Sequence, residues 1–476
     1  MYDIAVIGGG VVGGLILREI TKYDLSAVLI EKENDVAMGA SKANSGIVHA
    51  GYDAKEGTLK AKFNVLGNAM MKAVTDELGV KFKRNGSLVV AFSDDDMATL
   101  RSLKSRGELN GVTGLEILTK EQLISIEPHV SKKAVGALHA KTGGIVCPYE
   151  LTIAAIGNAM DNGACLMTGF DTVSIDGQSG AFTLKACDGR TVQAKAIVNC
   201  AGAGAQKIAE MVGDTSFKIG ARRGEYVLLD RESGDFVSHT LFFTPTEKGK
   251  GILITQTVDG NILIGPTAED IDFSDTATTA EGLSSVIAKA KTMCDDVPFY
   301  NTITSFAGVR AFSDRHDFII EESKVKRGFI HCAGIESPGL TSAPAIAKYV
   351  VDELIGGLFE LKVNKNFDPI RKPDYFFKNL SDKEKNEVIK KDKTYGHIIC
   401  RCEQITEGEI IRALRENPKA TDIDGVKRRT RAGMGRCQGG FCQPYVAEII
   451  ARETGATLES VTKCGDGSEI LVGKSK

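Results

Sequence analysis

Residues 2–31, YDIAVIGGGVVGGLILREITKYDLSAVLIE, constrain the fold more than any other stretch. Residues 2–7 are short, apolar and β-branched, and glycines end the run, as in a buried strand. VVGGLILREIT follows with helical spacing, and AVLIEK returns as a second strand. Gly8, Gly10 and Gly13 fall between the first strand and the helix as G-x-G-x-x-G. The first glycine permits the tight turn, the second lets backbone approach a pyrophosphate, and the third lets helix and strand pack closely. The helix N-terminus then offers free N–H groups and a positive dipole end to the phosphates. Glu31 closes the second strand, 18 residues after Gly13, where its carboxylate can accept hydrogen bonds from ribose hydroxyls. The stretch therefore predicts a dinucleotide site in a β-α-β unit.

NAD and FAD share this fingerprint. Two later glycine-rich stretches favour FAD, which is long enough to meet several distant segments. NCAGAGA (199–205) contributes Gly202, and FIHCAGIESPGLTSAPA (329–345) contributes Gly334, Ser337, Gly339 and Leu340. ASKANSGIVHAGY (40–52) is rich in small residues and suits a loop lying flat under a flavin ring, with Ser41, Asn44 and Ser45 as contacts. Helical spacing recurs over 57–78, 96–105, 119–127 and 280–293. Between 222 and 265 the pattern changes to short β-rich runs, which predicts an antiparallel sheet inserted between two β/α halves.

The stretches YDIAVIGGGVVG, NSGIVHAGYDAKEGTLKAKF, RRGEY, SFAGVRAFS and GIESPGLTSAPAIA resemble the FAD-dependent 2-hydroxyacid and glycerol-3-phosphate oxidoreductases of the D-amino-acid oxidase fold. The resemblance covers about residues 1–358. It implies an α/β fold: a Rossmann-like FAD-binding domain over 1–80, 140–215 and 305–358, with an antiparallel-sheet substrate domain over 81–139 and 216–304. Such enzymes oxidise a secondary alcohol. His49 is similar to the family's catalytic base, a role that suits imidazole because it titrates near neutrality. Arg310, in SFAGVRAFS, has the planar fork for a substrate phosphate or carboxylate. Lys248, in TPTEKGKGI, resembles a second clamp residue of the glycerol-3-phosphate branch.

Beyond a lysine-rich, partly helical linker at 359–395 lies a tail, 396–476, that holds Cys400, Cys402, Cys437 and Cys442. Four thiolates can hold a zinc ion or complete a [2Fe–2S] cluster, or they can leave the site empty. A C-x-C half is unusual for structural zinc. The five basic residues of KRRTRAGMGR (427–436) suit charge compensation of an anionic cluster. The segments CRCEQITEGEI and RRTRAGMGRCQGGFC resemble the small helical bacterioferritin-associated-ferredoxin-like [2Fe–2S] module. A one-electron centre beside a two-electron flavin implies relay to an electron-acceptor protein subunit.

The net charge of −3 argues against a general nucleic-acid or membrane-surface binder. The longest apolar run, residues 4–17, is too short to span a bilayer, and the preceding MYD lacks the positive region of a signal peptide. A cytoplasmic protein is expected, with any membrane association only through a partner. Three readings of the chain remain. The favoured one is oxidation of sn-glycerol 3-phosphate to dihydroxyacetone phosphate. Its rival is oxidation of L-2-hydroxyglutarate, and a non-catalytic flavin and iron–sulfur redox sensor is the third. A sensor needs neither the His49 base nor the Arg310 clamp.

Overall fold

The computed structural model describes residues 1–178, 180–245, 251–273, 275–371 and 377–473. Five parallel strands form its centre, in the order Phe329–Ala333, Thr191–Asn199, Tyr2–Ile7, Ala27–Ile30 and Cys165–Met167. Ile4, Ala5 and Val6 are fully buried, as expected of a parallel strand covered on both faces. One face packs against the helices Val11–Ile20, Leu59–Leu78, Pro148–Asp161 and Gly339–Tyr349, through a core that includes Leu15, Ile16, Phe63, Ile156 and Ile346. On the other face, Ile7, Val28 and Ile197 meet Phe170, Phe182 and Ile208. Gly8, Glu31, Cys200 and Gly334 follow the carboxyl ends of four neighbouring strands. Ligands of open α/β sheets bind at that edge, and the shared edge is why segments so distant in sequence converge.

A second sheet runs in the order Thr302–Ser313, Ile219–Leu229, Ile262–Gly265, Leu253–Gln256, Thr240–Phe243, Ser87–Ala91, Gly136–Ala140 and Leu115–Thr119. The strand Glu269–Ile271 extends it beside Ile219–Leu229. The sheet is not purely antiparallel, because Thr240–Phe243 runs parallel to Ser87–Ala91. These strands come from separate excursions of the chain, so no hairpin forces them to oppose. The helices Leu59–Leu78, Asp94–Leu109, Lys120–Ile126 and Ala280–Met293 lie where the apolar spacing places them. Among the described residues no helix is long and apolar enough to cross a membrane.

The tail contains the helices Glu407–Arg415, Ile423–Thr430 and Gln443–Thr454, packed around Ile405, Ile410, Val426, Val446 and Ile450. It does not hang free. Arg428 and Arg429 both reach the buried carboxylate of Asp35, at 2.6 and 2.8 Å. Arg431 joins Glu403 at 3.0 Å to Asp259 at 2.6 Å in the second sheet's 257–261 turn. Arg436 pairs with Asp230 and Glu232. The preceding segment is also docked. Lys362 accepts from the Asp24 amide at 2.8 Å, and Arg371 donates to the carbonyls of Ile153 at 3.0 Å and Asn417 at 2.9 Å. The expectation that the basic run serves the cluster thus needs correction. All five of its basic side chains are paired with carboxylates: Lys427 with Asp424 inside the tail, and the four arginines with Asp35, Asp259 and Glu232 beyond it, which anchors the tail.

Candidate active site and cluster site

The carboxyl edge of the parallel sheet and one face of the second sheet enclose a cavity of about 1800 Å³. That exceeds the roughly 300–1,000 Å³ of ordinary small-molecule sites and suits a long cofactor together with a substrate. Gly8, Gly10, Glu31, Ser41, Asn44, Ser45, His49, Gly202, Arg310, Ser337, Gly339 and Leu340 all line it. Gly13 and Gly334 stand behind the lining: Gly13 packs against the Gly8 carbonyl and Gly334 against Ser313. Lys248 lies outside the described residues.

The phosphate end is built by the first turn. Gly8 has φ +113°, and a Cβ there would run into the Cys200 carbonyl. Gly10 puts no side-chain cap on the helix Val11–Ile20. Ser41 accepts the Val11 amide at 2.9 Å, and the other first-turn amides lack helical partners. Glu31 accepts from the amides of Gly9 at 2.6 Å and Glu33 at 2.9 Å. Burial pushes its carboxyl above the usual range, so further donors at this acid would be stabilising. A glycine cradle, an uncapped helix start and a buried acceptor fit the pyrophosphate and ribose of FAD. Asn44 serves the loop itself, donating to Ala40 at 2.9 Å and accepting from Gly46 at 2.8 Å.

His49 is held by its peptide. Its amide donates to Thr341 Oγ1 at 2.9 Å, and its carbonyl accepts from Asn64 at 2.8 Å and Asn68 at 3.0 Å. Spacing of four on one helix brings both asparagine amides to the same carbonyl. That spacing in the sequence was the available signal for these two residues. The imidazole Nε2 lies 3.4 Å from Ser337 Oγ. Arg310 donates to the Thr267 carbonyl at 2.9 Å, and its buried Nε has no partner among the described residues. Ser45 Oγ lies 3.5 Å from Tyr226 Oη. Tyr226, Arg222 and the Lys60–Glu336 ion pair at 2.8 Å also line the cavity; all four lie in the stretches that carry the family resemblance, which assigned them no role.

In the tail the four cysteines come together in twos. Cys402 and Cys437 have their sulfurs 3.5 Å apart, and Cys400 and Cys442 share a second contact. The bond with Cys442 draws the Cys400 thiol down to about 6. Amides of Gly433 and Glu403 point at Cys400, and those of Gly439 and Phe441 at Cys437. Among the described residues no three ligating side chains converge on a point where a single ion could sit. A two-by-two set of thiols with amides aimed at sulfur fits the four-thiolate shell of a two-iron cluster. Anaerobically purified protein is expected to contain about two irons per chain and to give an EPR signal on reduction; stoichiometric zinc without iron would refute the assignment.

Residues 3–353 match the family described as FAD dependent oxidoreductase, and residues 398–452 match the BFD-like [2Fe-2S] binding domain. A glycerol 3-phosphate dehydrogenase from Caloramator mitchellensis is 50% identical across 100% of this chain and 99% of its own. A glycerol 3-phosphate oxidase from Mycoplasma genitalium is 31% identical across 76% of this chain and 97% of its own. Among solved structures, dithionite-reduced L-α-glycerophosphate oxidase from Mycoplasma pneumoniae with FAD bound superposes with a TM-score of 0.75 at 29% identity, covering 79% of this chain and 99% of that one.

Proposed function

Because the chain belongs to the FAD-dependent oxidoreductase family and carries a BFD-like [2Fe–2S] domain, we propose that it oxidises sn-glycerol 3-phosphate to dihydroxyacetone phosphate and delivers the electrons to a protein acceptor. The observation that carries this reading is the meeting of His49 and Arg310 in the cavity that the Gly8 turn and Glu31 also line. The relatives that act on glycerol 3-phosphate support the choice of substrate.

The Gly8–Val11 turn and Glu31 would hold FAD, and Cys400, Cys402, Cys437 and Cys442 would hold the cluster. When bound, FAD supplies a hydride acceptor and the cluster a one-electron carrier. The remaining chemistry belongs to side chains. His49 Nε2 takes the proton from the C2 hydroxyl as the carbonyl forms, once the substrate hydroxyl replaces Ser337 Oγ at that nitrogen. The bonds to Thr341, Asn64 and Asn68 fix the loop that carries the base, so little reorganisation precedes proton transfer. The Arg310 fork binds the substrate anion and, through it, sets the carbinol carbon in place. A cytoplasmic setting, where thiols stay reduced and available as ligands, is part of the proposal.

Anaerobic addition of substrate to the holoenzyme tests the reading. Glycerol 3-phosphate should bleach the flavin, and L-2-hydroxyglutarate should do so poorly. The reverse order would promote the hydroxyacid reading.

A further inference from the structure

Two arginines stand directly opposite each other in the second sheet. The register of Ile219–Leu229 on Thr302–Ser313 pairs Arg222 with Arg310. Opposed residues of an antiparallel pair project from the same face, and both side chains line the cavity. The same face carries the stacked rings of Tyr226 and Phe306, 4.9 Å apart, and Phe312, whose ring lies 4.8 Å from Arg222 Cζ.

Like charges directly opposite each other destabilise a strand pair. The two arginines are relieved unequally. Arg222 Nε donates to Asp270 Oδ1 at 2.6 Å, and Nη2 reaches Oδ2 at 3.4 Å. Asp270 is 64% exposed, so solvent screens this ion pair. Arg310 is held by a neutral carbonyl, with its Nε unpartnered among the described residues. Arg222 also feels the charge of Glu336, the neighbour of Ser337, which touches His49. Both cations line the same cavity as His49 and Ser337.

Resting on the substrate reading above, we propose that Arg222 and Arg310 form a cross-strand clamp for a phosphate dianion, with Arg222 as the residue that separates phosphate monoesters from carboxylates. Asp270 is the placeholder. A phosphate with two charges and three terminal oxygens satisfies both guanidiniums and displaces Asp270 from Arg222. A single carboxylate satisfies Arg310 and leaves the Arg222–Asp270 pair intact.

The test uses Arg222→Gln, Arg222→Lys and Asp270→Asn in the full-length holoenzyme, each checked for FAD content. Arg222→Gln should raise KM for glycerol 3-phosphate by about 10–100-fold, the worth of one charged hydrogen bond. The loss should fall on KM more than on the limiting rate of flavin reduction, and Arg222→Lys should recover part of it. Asp270→Asn should lower KM, the opposite of what a structural role predicts. Inorganic phosphate should raise the melting temperature of the wild type and do so less in Arg222→Gln, a readout independent of turnover. KM within twofold of wild type in Arg222→Gln, or full phosphate protection in that variant, would overturn the clamp and leave the substrate reading standing. A raised KM in Asp270→Asn would also overturn it. A wild type that ignores glycerol 3-phosphate would overturn the substrate reading itself, and the phosphate melting arm would then decide the clamp alone.

Discussion

Replacing His49 with Asn is expected to slow flavin reduction by glycerol 3-phosphate about 10²–10⁴-fold, the usual worth of a positioned base. The loss should be chemical rather than structural. The anchors of residue 49 are its own amide and carbonyl, bound by Thr341, Asn64 and Asn68, and any side chain at this position keeps them. FAD should therefore stay bound, and KM should change less than the limiting rate. Anaerobic stopped-flow spectra of wild type and variant would measure the ratio. A variant reduced at the wild-type rate would remove His49 from the mechanism.

The second large effect concerns Asp35→Asn. Asp35 is 3% exposed and is the carboxylate shared by Arg428 and Arg429. Neutralising it leaves two buried guanidiniums around an amide, and breaking a buried pair in this way costs about 3–5 kcal/mol. The tail should then melt ahead of the rest of the chain in calorimetry, while substrate still reduces the flavin. The same pair predicts the acid response. Burial works to raise the Asp35 carboxyl, yet Arg429 and Arg428 hold it below the usual range. A depressed folded-state pKa contributes stability above the unfolded carboxylate value of about 3.9, and that contribution disappears as pH falls through the folded value. Wild type should lose its tail docking only in strong acid, and Asp35→Asn should lack this acid step. An unchanged melting profile would show that the tail is held elsewhere.

The sequence carried the site unevenly. The glycine turn, Glu31 and the paired cysteines were legible because their chemistry depends on local spacing, which a sequence displays directly. His49 and Arg310 came from motifs, and both line one cavity. Arg222 stood in the RRGEY stretch without a role, because its pairing with a residue far along the chain arises only from strand register. The basic run near the cysteines was misread for the same reason. Asp35, Asp259 and Glu232, which take up its arginines, are distant in sequence and carry no mark of that role. The parallel pairing of Thr240–Phe243 with Ser87–Ala91 was likewise invisible, since alternation reports a strand's faces and not its direction.

The docked tail also acts as a brace. Asp35 ties it beside the parallel sheet, while Asp259, Asp230 and Glu232 tie it to the second sheet. A hinge opening between the two sheets would have to tear apart the Arg431–Asp259 pair, which is almost wholly buried. Swinging the halves apart is therefore a costly way to admit substrate. The exposed Phe273 and Lys289 mark where the cavity meets solvent, a way in that leaves the Arg431–Asp259 pair intact.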